Sequence, residues 1–189
     1  MNKRLFLVTG MMALLATACS TTTSSGGGSD PASQRHAIDA EVDGAITKLQ
    51  GQEPNSRELL AKAKGVLVFP SVISAGFVVG GSYGKGALRM GGVTVGYYST
   101  AAAAAGLLAG AESKALYILF MTQDALDKFR ASKGWTAGVD ASVSMIKVGA
   151  SASVDTQTGQ QPVVGYALTN AGLMANLVID GTKVSKLDL

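Results

Sequence analysis

Few side chains in this sequence of 189 residues are suited to covalent chemistry. The chain contains one cysteine, Cys19, and one histidine, His36. A single cysteine excludes an intramolecular disulfide and a cysteine-rich zinc site, and it leaves no cysteine–histidine catalytic pair for the core. His36 lies in a polar N-terminal segment outside every apolar stretch, so we expect a solvated imidazole. We therefore predict no catalytic residue built on either side chain.

The glycine-rich stretch around Lys85 is the next place to look for chemistry, because glycine loops can bind phosphate groups. A P-loop that ends at Gly84-Lys85 needs glycine at position 79 and serine or threonine at position 86, where the chain has Val79 and Gly86. The dinucleotide-binding pattern also fails, because Arg89 stands where its third glycine belongs. We therefore interpret these glycines as strand residues that admit a neighbouring backbone at close range.

The other charged residues do not indicate catalysis, metal binding or nucleic-acid binding. Residues 155–159 are only a partial calcium loop, because their glycine comes one place early and the last acidic ligand is missing. The 13 acidic residues give no candidate pair for hydrolysis. Lys and Arg never form a run longer than two residues, whereas a nucleic-acid surface needs a basic cluster. We predict a non-enzymatic protein without metal, cofactor or nucleic-acid partner.

Cys19 ends an N-terminal segment that has the pattern of a secretory signal. Residues 1–4 carry two positive charges, residues 5–16 are almost entirely apolar, and two small residues precede the cysteine. The small residues before the cysteine resemble a bacterial lipoprotein processing site. We expect residues 1–18 to be removed as a lipoprotein signal peptide and Cys19 to be lipidated, palmitate included. The alternative is a conventional signal peptide cut after an alanine, which leaves Cys19 as a free thiol.

Residues 19–30 are predicted to be the lipidated cysteine and a flexible tether rich in threonine, serine and glycine. Ser20 follows the cysteine, at the place where the inner-membrane retention signal of many bacterial lipoproteins is aspartate. This resemblance implies the outer membrane of a Gram-negative cell, and we expect attachment to its periplasmic face. Without Lys3 and Arg4, 14 basic residues remain against 13 acidic ones, so the mature protein is nearly neutral.

Helical spacing of apolar residues predicts three helices, at residues 31–50, 58–64 and 123–133. Asp30-Pro31 is a typical start for the first helix. Asn55–Glu58 resembles a capping box for the second, and Gly65 is expected to stop it. Thr122 is expected to cap the third, which an ion pair between Asp124 and Lys128 supports.

Short apolar or alternating segments predict the strands, at residues 66–69, 76–89, 93–98, 115–121, 139–145, 148–154, 163–169, 173–179 and 183–185. Pro70 is expected to end the first strand, and residues 101–105 are ambiguous between helix and strand. Gly80 and Gly84 are expected to share a strand face opposite Tyr83. Many short strands at this spacing predict an α+β domain over residues 31–189: an antiparallel β-barrel or sandwich with two N-terminal helices and one inserted helix.

Four basic residues are candidates for lipid binding. Lys62 and Lys64 lie on the predicted short helix beside two leucines, and Lys85 and Arg89 lie in the glycine-rich strands. An anionic membrane surface attracts apolar surface that is flanked by cations, by about 1 kcal/mol for each charge close to it. The alternative is an ordinary solvated face.

The order of these segments resembles the SYLF domain. The resemblance runs through roughly residues 36–189 and is carried by Ala63–Pro70, Gly76–Gly86, Gly106–Ser113, Leu119–Phe129, Gly138 with Asp140 and Ser142, and Gly172–Gly181. It implies a member of the bacterial lipoprotein branch of that family. Fungal and animal members bind phosphoinositides, and some bind actin.

The resemblance implies a domain that binds phospholipid or a membrane surface, with anionic lipids as the expected partner. In eukaryotic members lipid binding is placed on a basic N-terminal helix. The corresponding helix here has only Arg35 and Lys48 as cations, against Asp39, Glu41 and Asp43. A second hypothesis is an envelope scaffold that binds a protein partner through an exposed sheet face.

Overall fold

The computed structural model describes residues 30–76, 79–105, 110–146, 161–169, 172–173 and 179–189. The predicted signal peptide, nearly all of the tether, the predicted strand at 148–154, the turn at 155–160 and most of the strand at 173–179 lie outside the described residues. The helices are α1 (Pro31–Gln52), α2 (Ser56–Lys62) and α3 (Gln123–Ala131). The strands are β1 (Gly65–Gly76), β2 (Val79–Met90), β3 (Val93–Ala105), β4 (Gly110–Phe120), β5 (Trp135–Thr136), β6 (Ser144–Met145), β7 (Val163–Thr169), β8 (Gly172–Leu173) and β9 (Lys183–Leu187).

The described strands form one sheet in the order β5-β9-β3-β2-β1-β4-β7-β6, and β8 pairs with β7. Its strand pairs are antiparallel, except that β6 runs parallel to β7. The sheet is curled like half of a barrel. Two helices precede the sheet in the chain and the third follows β4. The predicted α+β class, with its sheet and three helices, is confirmed.

Both faces of the central sheet are buried, and this explains the continuous apolar segments in the sequence. Helices α1 and α2 cover one face, which we call the α1 face. Its buried residues include Val66, Val68, Tyr117, Leu119 and Tyr166, packed with Ile38, Val42 and Leu49 of α1. Helix α3 covers the opposite face, the α3 face, where Leu67, Phe69, Leu116, Ile118 and Phe120 pack with Phe129 and Trp135.

Helices α1 and α3 begin where the sequence predicts. Asp30 precedes Pro31 at the start of α1. The Thr122 side chain accepts a hydrogen bond from the backbone N–H of Ala125 at 3.3 Å, and Lys128 lies 2.8 Å from Asp124. Both features predicted for α3 are therefore confirmed.

The predicted capping of α2 is wrong. Helix α2 begins at Ser56, and Asn55 has helical backbone angles and no side-chain capping bond. The helix ends at Lys62, and Gly65 already belongs to β1. Leu126 packs against Gly65 so closely that a Cβ there would lie 2.8 Å from its Cδ1. The glycine is required by packing rather than by a helix terminus.

The prediction that Pro70 ends the first strand is wrong. The register of β1 shifts between Val68 and Ser71 against β2, and between Phe69 and Val72 against β4. Pro70 lies in this bulge, where a missing backbone N–H costs no ladder hydrogen bond. The strand therefore continues to Gly76 and becomes twelve residues long.

Two further strand predictions change. Residues 101–105 extend β3, because they pair along their whole length with β2. Residues 139–145 are not one strand, since only Ser144–Met145 pairs with β7. Val139, expected in this strand, is 78% exposed in a turn that follows Gly138, whose φ is +81°.

The glycines of β2 are structural, as expected for Gly80 and Gly84. A Cβ on Gly80 would lie 2.5 Å from the carbonyl oxygen of Ala75, and one on Gly84 would lie 2.7 Å from that of Ser71. Both neighbours are backbone atoms of β1, which cannot move aside like a side chain. The curled sheet brings the two main chains too close for any larger residue.

Two buried tyrosines on the α1 face provide a matched test of the core. The Tyr117 hydroxyl donates to the carbonyl oxygen of Ala45 at 2.8 Å, which joins β4 to α1. The Tyr166 hydroxyl is also buried but has no hydrogen-bond partner among the described residues. Burial raises the pKa of Tyr117 to about 12 and raises that of Tyr166 as well.

Tyr117→Phe should lower the free energy of unfolding by about 1 kcal/mol, because it leaves a buried carbonyl without its donor. Tyr166→Phe should leave the free energy unchanged or raise it, because it removes an unpaired hydroxyl from the core. Urea denaturation of both variants measures the difference. Equal destabilisation by the two changes would contradict the hydrogen-bond assignment.

Candidate functional site

The four candidate cations occupy two separate places on the α1 face. Lys62 and Lys64 lie at the end of α2, next to the first residue of β1. Arg89 pairs with Val66 at this same end, whereas Lys85 pairs with Ser71 beyond the bulge. Four residues of extended chain separate Lys85 from Arg89, which is about 14 Å. The structure does not join the four residues into one site.

Arg89 is the least available of the four cations. Its side chain is 14% exposed, and its Nη2 lies 2.7 Å from Asp43 Oδ1 and 3.6 Å from Asp39 Oδ1. The guanidinium also donates to the carbonyl oxygens of Gly92 and Asp39, at 3.1 and 3.3 Å. The planar guanidinium can donate several hydrogen bonds at once, and here these bonds join α1 to the β2–β3 hairpin. Arg89 therefore holds the helix on the sheet.

Asp39 completes this polar junction on α1. Its carboxylate accepts hydrogen bonds from Thr94 Oγ1 at 2.7 Å and from the Tyr97 hydroxyl at 2.9 Å. Burial raises the pKa of Tyr97, and the hydrogen bond to Asp39 raises it further. The tyrosine therefore stays neutral, and these two hydrogen bonds hold α1 on β3 as well as on β2.

Lys62 and Lys64 are exposed but differ in their surroundings. Lys62 Nζ lies 2.6 Å from Glu58 Oε1, and this hydrogen bond and charge lower the pKa of Glu58. Both side chains of the pair are largely exposed, so the pair exchanges readily with solvent ions. Lys64 is tied through its backbone, whose N–H donates to the carbonyl oxygen of Phe120 at 2.8 Å. Its position relative to the sheet is therefore fixed while its side chain stays exposed.

An apolar pocket of about 360 Å³ opens beside these lysines, between α1, α2 and the β2–β3 turn. Apolar residues from both helices and β1 line it: Ile46, Leu60, Ala61, Ala63 and Val66. Asp43, Gln50 and Arg89 supply polar groups, and Gly91 and Gly92 form the turn. Positive φ angles of 55° and 83° at these two glycines make the tight turn between β2 and β3. Lys62 lies between two of its lining residues in the chain, Ala61 and Ala63, and Lys64 follows the second of them.

Lys85 is the one candidate cation beyond the bulge of β1, where it pairs with Ser71. It is exposed on β2, and its Nζ lies 3.5 Å from Gln34 Oε1 near the start of α1. Tyr83 is two residues away on the same strand face. No candidate cation besides Lys85 lies in this part of the described chain.

The described residues offer little for other chemistry. His36 is exposed on α1. Within the described ranges no three His, Cys, Asp or Glu side chains come together where a metal ion could bind. A search of the described helices finds none with the length and hydropathy to cross a membrane. Cys19 lies outside the described residues.

The comparisons with known proteins bear on the second half of the chain. A family model described as "Las17-binding protein actin regulator", which is the SYLF family, matches residues 101–188. The predicted resemblance to the SYLF family is confirmed over residues 101–188. The match begins in β3 and runs through β4, α3 and the strands that follow, to the end of β9. The family is known for association with actin or lipid, and no curated protein matches the chain.

Two features of the SYLF domain were missed by sequence reasoning. The carboxylates that hold Arg89 lie about fifty residues earlier in the chain, so no local pattern relates them to it. The exposed pair Ile73 and Tyr83 was missed because Pro70 was expected to end β1. Residues 71–75 do not alternate between polar and apolar side chains, so no local signal in the sequence indicates the longer strand.

Proposed function

We propose that this SYLF domain is a non-enzymatic module that binds a phospholipid surface, with anionic lipids preferred. One observation carries the proposal: exposed Lys62 and Lys64 lie beside an apolar pocket on a domain of a lipid- or actin-associating family. The cations would attract headgroups, and the apolar lining would accept an inserted group. Both contributions are needed, because charge alone is weak at physiological salt.

The proposal includes an anchor on Cys19 that holds the domain at the periplasmic face of the outer membrane. Two or more acyl chains on one residue give a stable attachment, since each buried CH₂ adds about 0.8 kcal/mol. The tether then keeps the domain close to the surface. Its high effective concentration there makes a weak intrinsic affinity sufficient.

The electrostatic part of the affinity is small. About 1 kcal/mol for each lysine near an anionic surface gives roughly 2–3 kcal/mol if Lys62, Lys64 and Lys85 all approach it. We leave Arg89 out of this sum, because its guanidinium is already bound to two carboxylates.

Flotation with vesicles tests the proposed function on residues 30–189, which contain both hydrophobic clusters. The domain without acyl chains should float with vesicles of phosphatidylglycerol and phosphatidylethanolamine at low salt. The double reversal Lys62→Glu and Lys64→Glu should weaken flotation, because it turns attraction into repulsion.

The matched control is Lys128→Glu, an equally exposed lysine on α3 at the opposite face of the sheet. It should leave flotation unchanged. Equal loss in the double reversal and the control would assign binding to net charge alone. Failure of the unaltered domain to float would remove the lipid proposal.

The second function, an envelope scaffold, is favoured by a different observation. Strand β9 pairs with β3 only from Tyr97 to Ala101, and β7 pairs with β4 only from Ala115 onward. Among the described residues, the outer parts of β3 and β4 therefore have no further strand beside them. Open edges of this kind can accept a strand from another protein. A domain that fails to float but is cross-linked to one envelope protein would favour this function.

A further inference from the structure

Four strands continue past the bulge at Pro70, and we call these parts the outer sheet: residues 71–76, 79–85, 99–105 and 110–114. Its inner edge, at Ser71 and Ser113, lines a pocket with Glu41 and Lys48 of α1. Its α1 face carries two of the most exposed large apolar side chains among the described residues, Ile73 at 55% and Tyr83 at 51%. These two residues are direct partners across β1 and β2. They form one apolar patch rather than two isolated side chains.

The neighbours of this pair enlarge the patch. The register places Ala101, Tyr83, Ile73 and Ser113 in one row across the four strands. The next row outward contains Ala103, Gly81 and Ala75, and the next row inward contains Ser99, Lys85 and Ser71. Within these four strands the three rows contain one charged side chain, Lys85, and the first row continues to Lys183 of β9, which pairs with Ala101.

The opposite face of the outer sheet is different. Val72, Ser74 and Thr100, which alternate with the patch residues, are 3%, 6% and 1% exposed. The exposed large apolar side chains of the outer sheet therefore lie on the α1 face, whereas the exposed residue paired with Ser74 on the opposite face is the charged Glu112. An exposed apolar patch on only one face, next to a cation, is typical of an interaction surface.

The position at which α1 begins indicates which partner contacts this patch. Gln34, in the first turn of the helix, contacts Lys85, whereas Asp39 and Asp43 further along contact Arg89. The helix therefore begins at the outer-sheet end of β2. Asp30 precedes the helix at this end, so the tether that the sequence predicts for residues 19–30 joins the domain here, and a flexible chain of that length would span about 18 Å. The predicted lipid anchor and the patch thus lie at the same end of the domain.

We propose that the α1 face of the outer sheet, centred on Ile73 and Tyr83, is the surface that lies against the bilayer. This inference rests on the proposed function and adds the orientation of the domain on the membrane. Tyrosine is suited to the membrane interface, because its ring is apolar and its hydroxyl can remain hydrated. Lys85, beside it, can reach the headgroup phosphates.

Tryptophan fluorescence tests the orientation on the full acylated chain in vesicles. The only tryptophan, Trp135, is 3% exposed and gives a constant background. Tyr83→Trp places a reporter in the patch, and Val139→Trp places a matched reporter in the exposed turn after β5, whose Trp135 packs on the α3 face. The vesicles contain equal parts of phosphatidylglycerol and phosphatidylcholine brominated on its acyl chains.

The expected result is a blue shift and a loss of emission for the reporter at position 83, with neither change at position 139. Quenching at both positions, at neither, or only at 139 would overturn the inference. A blue shift at 83 that grows with protein concentration without vesicles would identify a second copy as the occupant, and it would also overturn the inference.

The two proposals can fail separately. If residues 30–189 float with anionic vesicles but position 83 is not quenched, the domain binds lipid through another surface. If position 83 is quenched in the acylated chain but the unacylated domain does not float, the patch faces the bilayer only because of the anchor.

Discussion

Gly86→Ala should destabilise the domain by about 3 kcal/mol or more, at the upper end of the range for overpacking. A Cβ on Gly86 would collide with the carbonyl oxygen and carbon of Val68, and it would lie 2.8 Å from Cδ1 of Phe69. The backbone of β1 cannot move away, because β1 is the central strand and pairs with β2 and β4. Urea denaturation of the purified variant measures the loss.

Gly44→Ala is the control for this substitution. Gly44 lies inside α1, and a Cβ there would meet nothing within 4 Å. The same change should therefore raise stability by about 0.5–1 kcal/mol, because alanine favours the helix. Equal effects of the two variants, or a stable Gly86→Ala protein, would contradict the close approach of β1 and β2.

Arg89→Met should have the second large effect, a loss of about 2–3 kcal/mol in the free energy of unfolding. The change keeps apolar volume but leaves Asp39 without its cation next to the sheet. We expect less than for a fully buried pair, because Asp43 is 67% exposed and can be solvated. Thermal or urea unfolding measures the change, and flotation is measured on the same sample.

Lys128→Met is the control, since it breaks an exposed pair with Asp124 on α3 and should cost no more than about 0.5 kcal/mol. Measuring both unfolding and flotation distinguishes a structural role of Arg89 from a role in lipid binding. A stable Arg89→Met protein that no longer floats would make Arg89 a lipid ligand and would contradict its structural assignment.

The sequence predicts those elements whose signals are local. The spacing of Ile38, Val42, Ala45, Ile46 and Leu49 predicts α1, and the helix buries all of them except Ile46, which is half-buried. Thr122 and the Asp124–Lys128 pair predict α3 in the same way. Nothing local shows that β1 continues through Pro70, because the bulge depends on how β2 and β4 pair on either side.

The candidate site shows the same division. Exposure of Lys62, Lys64 and Lys85 follows from their polar character. The distance between Lys85 and the other two lysines cannot be predicted in this way, because it depends on the register of β1 with β2. The engagement of Arg89 is a tertiary contact with a helix fifty residues away. A sequence pattern identifies cations but not which of them are already neutralised.

The outer sheet explains the unusual small residues of β2 and β3. Alanine, glycine and serine fill most positions of the three rows around Ile73 and Tyr83. Such a face is flat and has few polar side chains, which suits contact with a broad surface better than with a small ligand.

The most direct test of the account is the binding of residues 30–189 to vesicles at two salt concentrations. The account predicts association with phosphatidylglycerol vesicles at low salt and little with phosphatidylcholine vesicles. It also predicts a marked loss of association with phosphatidylglycerol vesicles when salt is raised from 0.1 M to 1 M, because the Debye length falls from about 10 Å to about 3 Å. Absence of association with either vesicle at low salt would contradict the claim that this domain binds a membrane surface.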